Sequence, residues 1–181
     1  DLRLGKDAWR VQASFLPGSK TAVSDKLAKF AMHKIDLTYG AVLERGCVYI
    51  AKLQESVTLP RGVSAIANPK SSTGRLDIFT RLICDYADEF EAVADGYEGP
   101  LYAEISPRTF SVLVRVGSRL SQLRLRQGQA IVSDDAMQSL HTDVGLVQGD
   151  CRAKVDIRDG VGLTVNLKPD RKSGVIGWRA R

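Results

Sequence analysis

The sequence contains no apolar run of the roughly 18 residues that a membrane-spanning helix needs, and its first residues lack the basic-then-apolar order of a secretory signal. The chain is therefore expected to be soluble and cytoplasmic, with no membrane partner. Cysteine is scarce: Cys47, Cys84 and Cys151 are odd in number and far apart, which argues against a disulfide framework and predicts reduced thiols. Histidine is scarcer still. His33 and His141 stand in no H-x-E or C-x-x-C arrangement, so a zinc-activated water has no protein ligands here.

What is present is a basic chain of 181 residues with a net charge of +5. Apart from the loose group Arg115, Arg119, Arg124 and Arg126 and the mixed tail from Lys168 to Arg181, the cations are scattered. Such a distribution suits a phosphorylated small molecule as well as nucleic acid, and an ordinary solvated surface as well as either.

Most periodic segments alternate every second residue, as strands buried on one face do. Strands are expected at Trp9 to Phe15, Cys47 to Leu53, Gly62 to Ala67, Leu101 to Ile105, Phe110 to Val116 and Leu120 to Leu125. Helices are expected only at Ser24 to Met32, capped by Ser24, and at Ser72 to about Leu82, capped by Ser72 or Thr73. The spacing predicts a mainly β domain, an antiparallel sandwich or barrel, over residues 1–130. A linker is expected near residues 128–143. Residues 131–181 then hold that linker and the start of a second β-rich segment, through Leu163 to Leu167 and Val175 to Trp178, which is a candidate second copy because Asp156-Ile157-Arg158 faintly echoes Asp1-Leu2-Arg3. With an opening that lacks Met and a close on Arg181 that has no obvious stopping point, the chain is expected to be cut at both ends.

Three stretches carry candidate chemistry. In Lys70-Ser71-Ser72-Thr73-Gly74-Arg75, backbone NH groups, hydroxyls and two cations can converge on an anion, although small polar residues before a helix also serve as plain caps. In the alternation Glu104 shares a face with Tyr102 and opposes Leu101, Ala103 and Ile105; facing solvent it is one more surface carboxylate, whereas in a polar pocket it is a candidate general base. Gln122 follows the turn Gly117-Ser118-Arg119 and can read an amide edge, bind a phosphate oxygen or simply lie on a strand surface.

In order along the chain, Glu55-Ser56-Val57-Thr58-Leu59-Pro60, Lys70-Ser71-Ser72-x-x-Arg75, Gly96-Tyr97-x-Gly99-x-Leu101-x-x-Glu104 and Gly117-x-x-Leu120-x-Gln122-Leu123 resemble the dCTP deaminase and dUTPase superfamily over about residues 1–127. The resemblance implies a distorted antiparallel β-barrel with few short helices and the deamination of dCTP to dUTP and ammonia. It places Glu104 on the general base, with Ser71 and Arg75 positioning the water and the cytosine and stabilising charge. It assigns Lys70, Ser72 and Gln122 to the triphosphate and Tyr97 to the deoxyribose, with Asp95 in the same substrate-binding turn. It further implies magnesium carried on the triphosphate, no zinc, no nucleic-acid partner, and a homo-oligomer or pseudo-trimer with sites between copies.

Two departures bear on substrate choice. The aspartate that activates water in the dUTPases aligns with Ala94, with Asp95 displaced by one, which weakens a dUTP hydrolysis reading. The segment from Phe79 to Val93 is longer and more acidic than the family's, with Asp85, Asp88, Glu89 and Glu91, where the family contacts the base.

Overall fold

The computed structural model describes residues 1–128, 132–147, 155–163 and 165–177. Cys151, Trp178 and Arg181 lie outside the described residues. The chain divides into two compact units, Asp1–Gln129 and Ala130–Arg181.

The first unit is built on a five-stranded antiparallel sheet. Its members are β1 (Leu4–Val11), β2 (Ala31–Asp36), β4 (Val48–Thr58), β6 (Ile78–Cys84) and β8 (Glu98–Pro107), in the order β2-β1-β4-β8-β6. A three-stranded sheet of β10 (Ser121–Gln127), β5 (Val63–Pro69) and β7 (Ala92–Val93) and a small pair of β3 (Ala41–Leu43) with β9 (Val112–Val114) complete it. All ladders are antiparallel. The unit is mainly β, with two short helices, α1 (Val23–Phe30) and α2 (Ser71–Arg75). The sheets do not close into a continuous barrel: β2 and β6 remain the margins of the larger one.

Alternation decides what each face buries. Tyr49, Ala51 and Leu53 of β4, Leu82 and Cys84 of β6 and Leu101, Ala103 and Ile105 of β8 pack with Ala65 and Ala67 of β5 in one core between the sheets. The intervening residues Ile50, Ile83 and Tyr102 point the other way, into a second core closed by Val11, Phe15, Val23 and Leu27. The larger sheet is thus covered on both faces. Full burial of a side chain such as Ile50 or Ile83 stabilises by about 1.5–3 kcal/mol, so neither face is a passive surface.

The lid of the second core is α1. Its N-cap is Ala22, which has no side-chain oxygen; Ser24, the expected cap, is an exposed residue inside the helix. Two carboxylates take over: Asp25 accepts from the Ala22 N–H at 3.4 Å and Asp85 from the Val23 N–H at 2.7 Å. One member of the acidic segment is therefore engaged in holding a helix start.

The helix expected over Ser72 to Leu82 is corrected. Only Ser71–Arg75 is helical, and Ile78–Cys84 is strand β6. Asp77 takes φ 54°, a left-handed conformation that ends the turn, and its carboxylate accepts from the Thr109 hydroxyl at 2.6 Å. Beyond it, Ile78, Thr80, Leu82 and Cys84 are buried on alternate positions, a period of two that outweighs the capping signal upstream. The first strand also differs, running over Leu4–Val11 rather than reaching Phe15, and Met32 belongs to β2 rather than to a helix.

In the second unit the stretch expected as a linker contains α3 (Asp134–Val144). Ser133 caps it by accepting from the Ala136 N–H at 3.3 Å, and Asp134 and Asp135 in the first turn suit the helix dipole. A hairpin of β11 (Asp156–Ile157) and β12 (Val161–Gly162) follows. The described residues of the expected strand from Leu163 to Leu167 form none, and Leu163, Val165 and Leu167 are exposed. Among the described residues no helix is long and apolar enough to cross a membrane.

The free thiols Cys47 and Cys84 differ in setting. Burial, and then the nearby Asp85 charge, push the Cys84 thiol up to about 11, and its Sγ–H donates to the Ala92 carbonyl at 3.3 Å. Because the thiolate is the reactive form, Cys84 is expected to resist an aromatic disulfide reagent at pH 8 in the folded protein while half-buried Cys47 reacts. Peptide mass mapping reads the two positions separately, and equal labelling before unfolding would contradict this placement.

Candidate functional site

Strand β8 lies between β4 and β6, and every residue from Leu101 to Pro107 is buried. A ten-residue strand buried on both faces is an unusual place for a carboxylate. Glu104 is nonetheless there, 1% exposed, on the face of Tyr102 and opposite Leu101, Ala103 and Ile105. Its registered neighbours are Ile50 on β4 and Arg81 on β6.

Arg81 explains how the charge is tolerated. Its Nε and Nη2 both donate to Glu104 Oε1, at 3.1 and 2.6 Å, and Nη2 also donates to the Ser14 hydroxyl at 2.8 Å. The guanidinium lies 3.5 Å from the Phe90 ring centroid and 4.8 Å from that of Phe79. Two rings, a hydroxyl and a carboxylate thus fix one planar cation, an arrangement that suits arginine rather than lysine. Both bonds fall on the same carboxylate oxygen. Glu104 Oε2 is left buried and without a protein partner among the described residues, and so is Ser106 Oγ two residues along the same face. Burying a polar atom unpartnered costs about 1–3 kcal/mol, so each such atom calls for a reason.

The other expected site residues are dispersed around this centre. After β5 the chain turns at Lys70, whose N–H donates to the Leu120 carbonyl at 2.9 Å and whose ammonium pairs with Asp1. In α2 the buried residue is Thr73; Ser71, Ser72 and Arg75 are exposed. Among the described residues no hydrogen bond joins them to Glu104. The ladder starts at Ile78 opposite Pro107, three residues or about 10 Å along the strand from the Arg81 and Glu104 pair, and α2 ends at Arg75, three residues before that start. Gln122 is exposed on β10, opposite Asn68.

Tyr97 and Asp95 serve the turn before β8. The Tyr97 ring belongs to the main core; its hydroxyl donates to the Pro100 carbonyl at 2.7 Å and accepts from the Asp85 N–H at 3.1 Å, and burial pushes its acidity far down. A Cβ on Gly99 would stand 2.6 Å from that hydroxyl, so glycine is required by close approach. One edge of Tyr97 still lines a cavity of about 360 Å³ with Asp85, Asp88 and Glu89. Asp95 holds the Gly62 N–H with both oxygens, at 2.8 and 3.0 Å, and Ala94 is exposed. Its carboxylate is therefore engaged by backbone.

Arg81, Ser14 and Ser106 escaped the sequence reading. The signal was available for Arg81: a lone cation inside the alternating run Ile78 to Cys84 must find a partner or face solvent. Nothing local marks Ser14, which is set by a contact 67 residues away.

A family model described as the 2′-deoxycytidine 5′-triphosphate deaminase N-terminal domain matches residues 1–129. A crystal structure of 2′-deoxycytidine 5′-triphosphate deaminase from Agrobacterium tumefaciens is similar at 53% sequence identity and a TM-score of 0.71, covering 96% of this chain and 49% of that one. The chain thus spans about half the length of that protein. No curated protein sequence matches it.

Glu104→Ala leaves the Arg81 cation without its buried counter-charge and should cost about 3 kcal/mol in urea unfolding; a change below about 0.5 kcal/mol would show that the pair is slack. Glu91 behaves oppositely. Burial raises its pKa above the ordinary 4.5, a shift opposed by the Leu82 backbone and by Arg81. The native state therefore holds the proton to higher pH than the unfolded chain does, and stability falls as pH rises through the folded value. Glu91→Gln should accordingly stabilise at pH 7, a gain that fades below pH 4.5. Unfolding midpoints across pH give the comparison.

Proposed function

The chain belongs to the 2′-deoxycytidine 5′-triphosphate deaminase family, and from that premise we propose that it catalyses the hydrolytic deamination of dCTP to dUTP and ammonia with Glu104 as general base. The supporting observation is the buried carboxylate with one oxygen engaged by Arg81 and the other without a protein partner among the described residues. Arg81 on Oε1 fixes the carboxylate's orientation and leaves Oε2 as the oxygen open to a water. Oε2 would take a proton from water as the water oxygen attacks cytosine C4, and return it to the departing amine. This chemistry calls on no zinc.

The residues outside the Glu104 pair take substrate roles in this reading. Lys70, Ser72 and Gln122 hold the triphosphate, Tyr97 flanks the deoxyribose, and the Asp95 turn keeps that ring in place. Magnesium accompanies the nucleotide on its phosphate oxygens, the donors it prefers. Ser71 and Arg75 close on the reacting centre where copies of the chain assemble, in a homo-oligomer or pseudo-trimer with sites between copies. Residues 1–130 form the catalytic domain, and residues 131–181 begin a second β-rich segment.

One observation favours a second reading, a nucleotide-binding domain without catalysis: a Glu held by two arginine bonds is also what a structural ion pair looks like. Triphosphate hydrolysis has less support, because Ala94 occupies the aligned aspartate position and Asp95 is bound to Gly62.

The full-length protein incubated with dCTP and magnesium should release equimolar ammonia and dUTP, and absence of both between pH 6 and 9 would defeat the deaminase reading. Binding of dCTP without turnover would favour the second one, and pyrophosphate release from dUTP would reveal hydrolysis. Glu104→Gln should lower kcat by about 10³-fold while changing dCTP affinity less than about threefold, because shape is kept and the base is lost.

A further inference from the structure

Two buried polar atoms on β8 lack protein partners among the described residues, and they lie on one face of one strand: Glu104 Oε2 and Ser106 Oγ. Residues i and i+2 of a strand are roughly 6–7 Å apart. A single water making two hydrogen bonds of about 2.8 Å joins atoms about 4.5–5.5 Å apart, a separation that rotation of the longer Glu side chain can reach from that backbone spacing. Glu104 and Ser106 are 1% and 3% exposed, so bulk solvent does not reach them freely. Their cross-strand neighbours on β6 are Arg81, which turns to Oε1, and Phe79, which has no hydrogen-bonding atom in its side chain to offer Ser106.

We propose that Ser106 is a further residue of the reaction site, its hydroxyl sharing with Glu104 Oε2 the water molecule that the carboxylate activates. The inference rests on the deaminase reading and adds a member to its site. Arg81 directs the pair by occupying Oε1, so that Oε2 alone faces the water. That water gives one hydrogen bond to Oε2 and the other to Ser106 Oγ, which leaves an oxygen lone pair for cytosine C4. On attack, the O–H bond toward Glu104 breaks and its proton moves to Oε2, while the C–O bond forms. Ser106 neither gains nor loses a proton. Its contribution is orientation, which multiplies the rate without strengthening nucleotide binding.

The alternative role, a packing hydroxyl that merely fills space, predicts a different outcome for the same variant. Removing an unpartnered buried hydroxyl leaves folding undisturbed or improves it. A packing role therefore gives Ser106→Ala unchanged kcat at equal or higher thermal midpoint.

The test compares Ser106→Ala and Ser106→Thr with the unaltered full-length protein in steady-state dCTP deamination, alongside thermal unfolding and a crystal structure of the unaltered protein fine enough to place waters. Ser106→Ala is expected to lose about 10- to 100-fold in kcat with KM within about twofold and no fall in midpoint, while Ser106→Thr retains most of kcat through its hydroxyl. A kcat for Ser106→Ala within about twofold of the unaltered protein overturns the proposal, as does a loss confined to KM. If the unaltered protein does not deaminate dCTP, the deaminase reading fails by itself, and the crystal structure decides the water site. One water bonded to both Oε2 and Oγ supports it, and no shared water overturns it.

Discussion

A carboxylate in the middle of a twice-buried strand is the constraint around which the rest of the first unit is arranged. Such a charge is tolerated only with a counter-charge held at hydrogen-bonding distance, because desolvation otherwise exceeds any packing gain. Arg81 meets that demand from the adjacent strand, and its own immobilisation recruits Phe79, Phe90 and Ser14. The interaction therefore ties together β8, β6, the chain before α1 and the acidic segment. It also explains the asymmetry of the carboxylate, since a guanidinium fastened by other groups cannot turn to fork across both oxygens.

The same arrangement shows why the larger sheet needs a cover on its second face. Ile50, Ile83 and Tyr102 form a buried, mainly apolar floor beside Glu104, and α1 with Phe15 closes over it. Helix α1 depends in turn on Asp85 for its first N–H. The acidic segment thus has a structural share in the low-dielectric surroundings of Glu104, besides lining the cavity at Tyr97. Charge lost from that segment would act on the site through helix position as well as through the field.

Much of this was legible in the sequence, and what was not has physical causes. The alternation of β8 separated Glu104 and Tyr102 from Leu101, Ala103 and Ile105, and the sheet keeps that division. The mainly antiparallel β class followed from the same period of two. Strand β6 was misread because Ser71 to Arg75 carries a true helix start, and a start does not announce its stop; the stop lies in the backbone of Asp77. The partner of Glu104 was hidden for a different reason: registration across 23 residues is a property of the ladder and not of any local pattern. Order of motifs likewise implied that Ser71 and Arg75 share a site with Glu104, whereas within this chain they stand exposed on α2.

The tyrosine of the turn before β8 has both hydrogen-bonding capacities of its hydroxyl committed to backbone, and a glycine pressed beneath it. An aromatic ring tethered in this way cannot swing aside to admit a bulkier visitor, nor follow a smaller one inward. The edge it shows to the neighbouring hollow is a fixed gauge. Its position was fixed at folding, so anything that entered that hollow would meet a wall already in place.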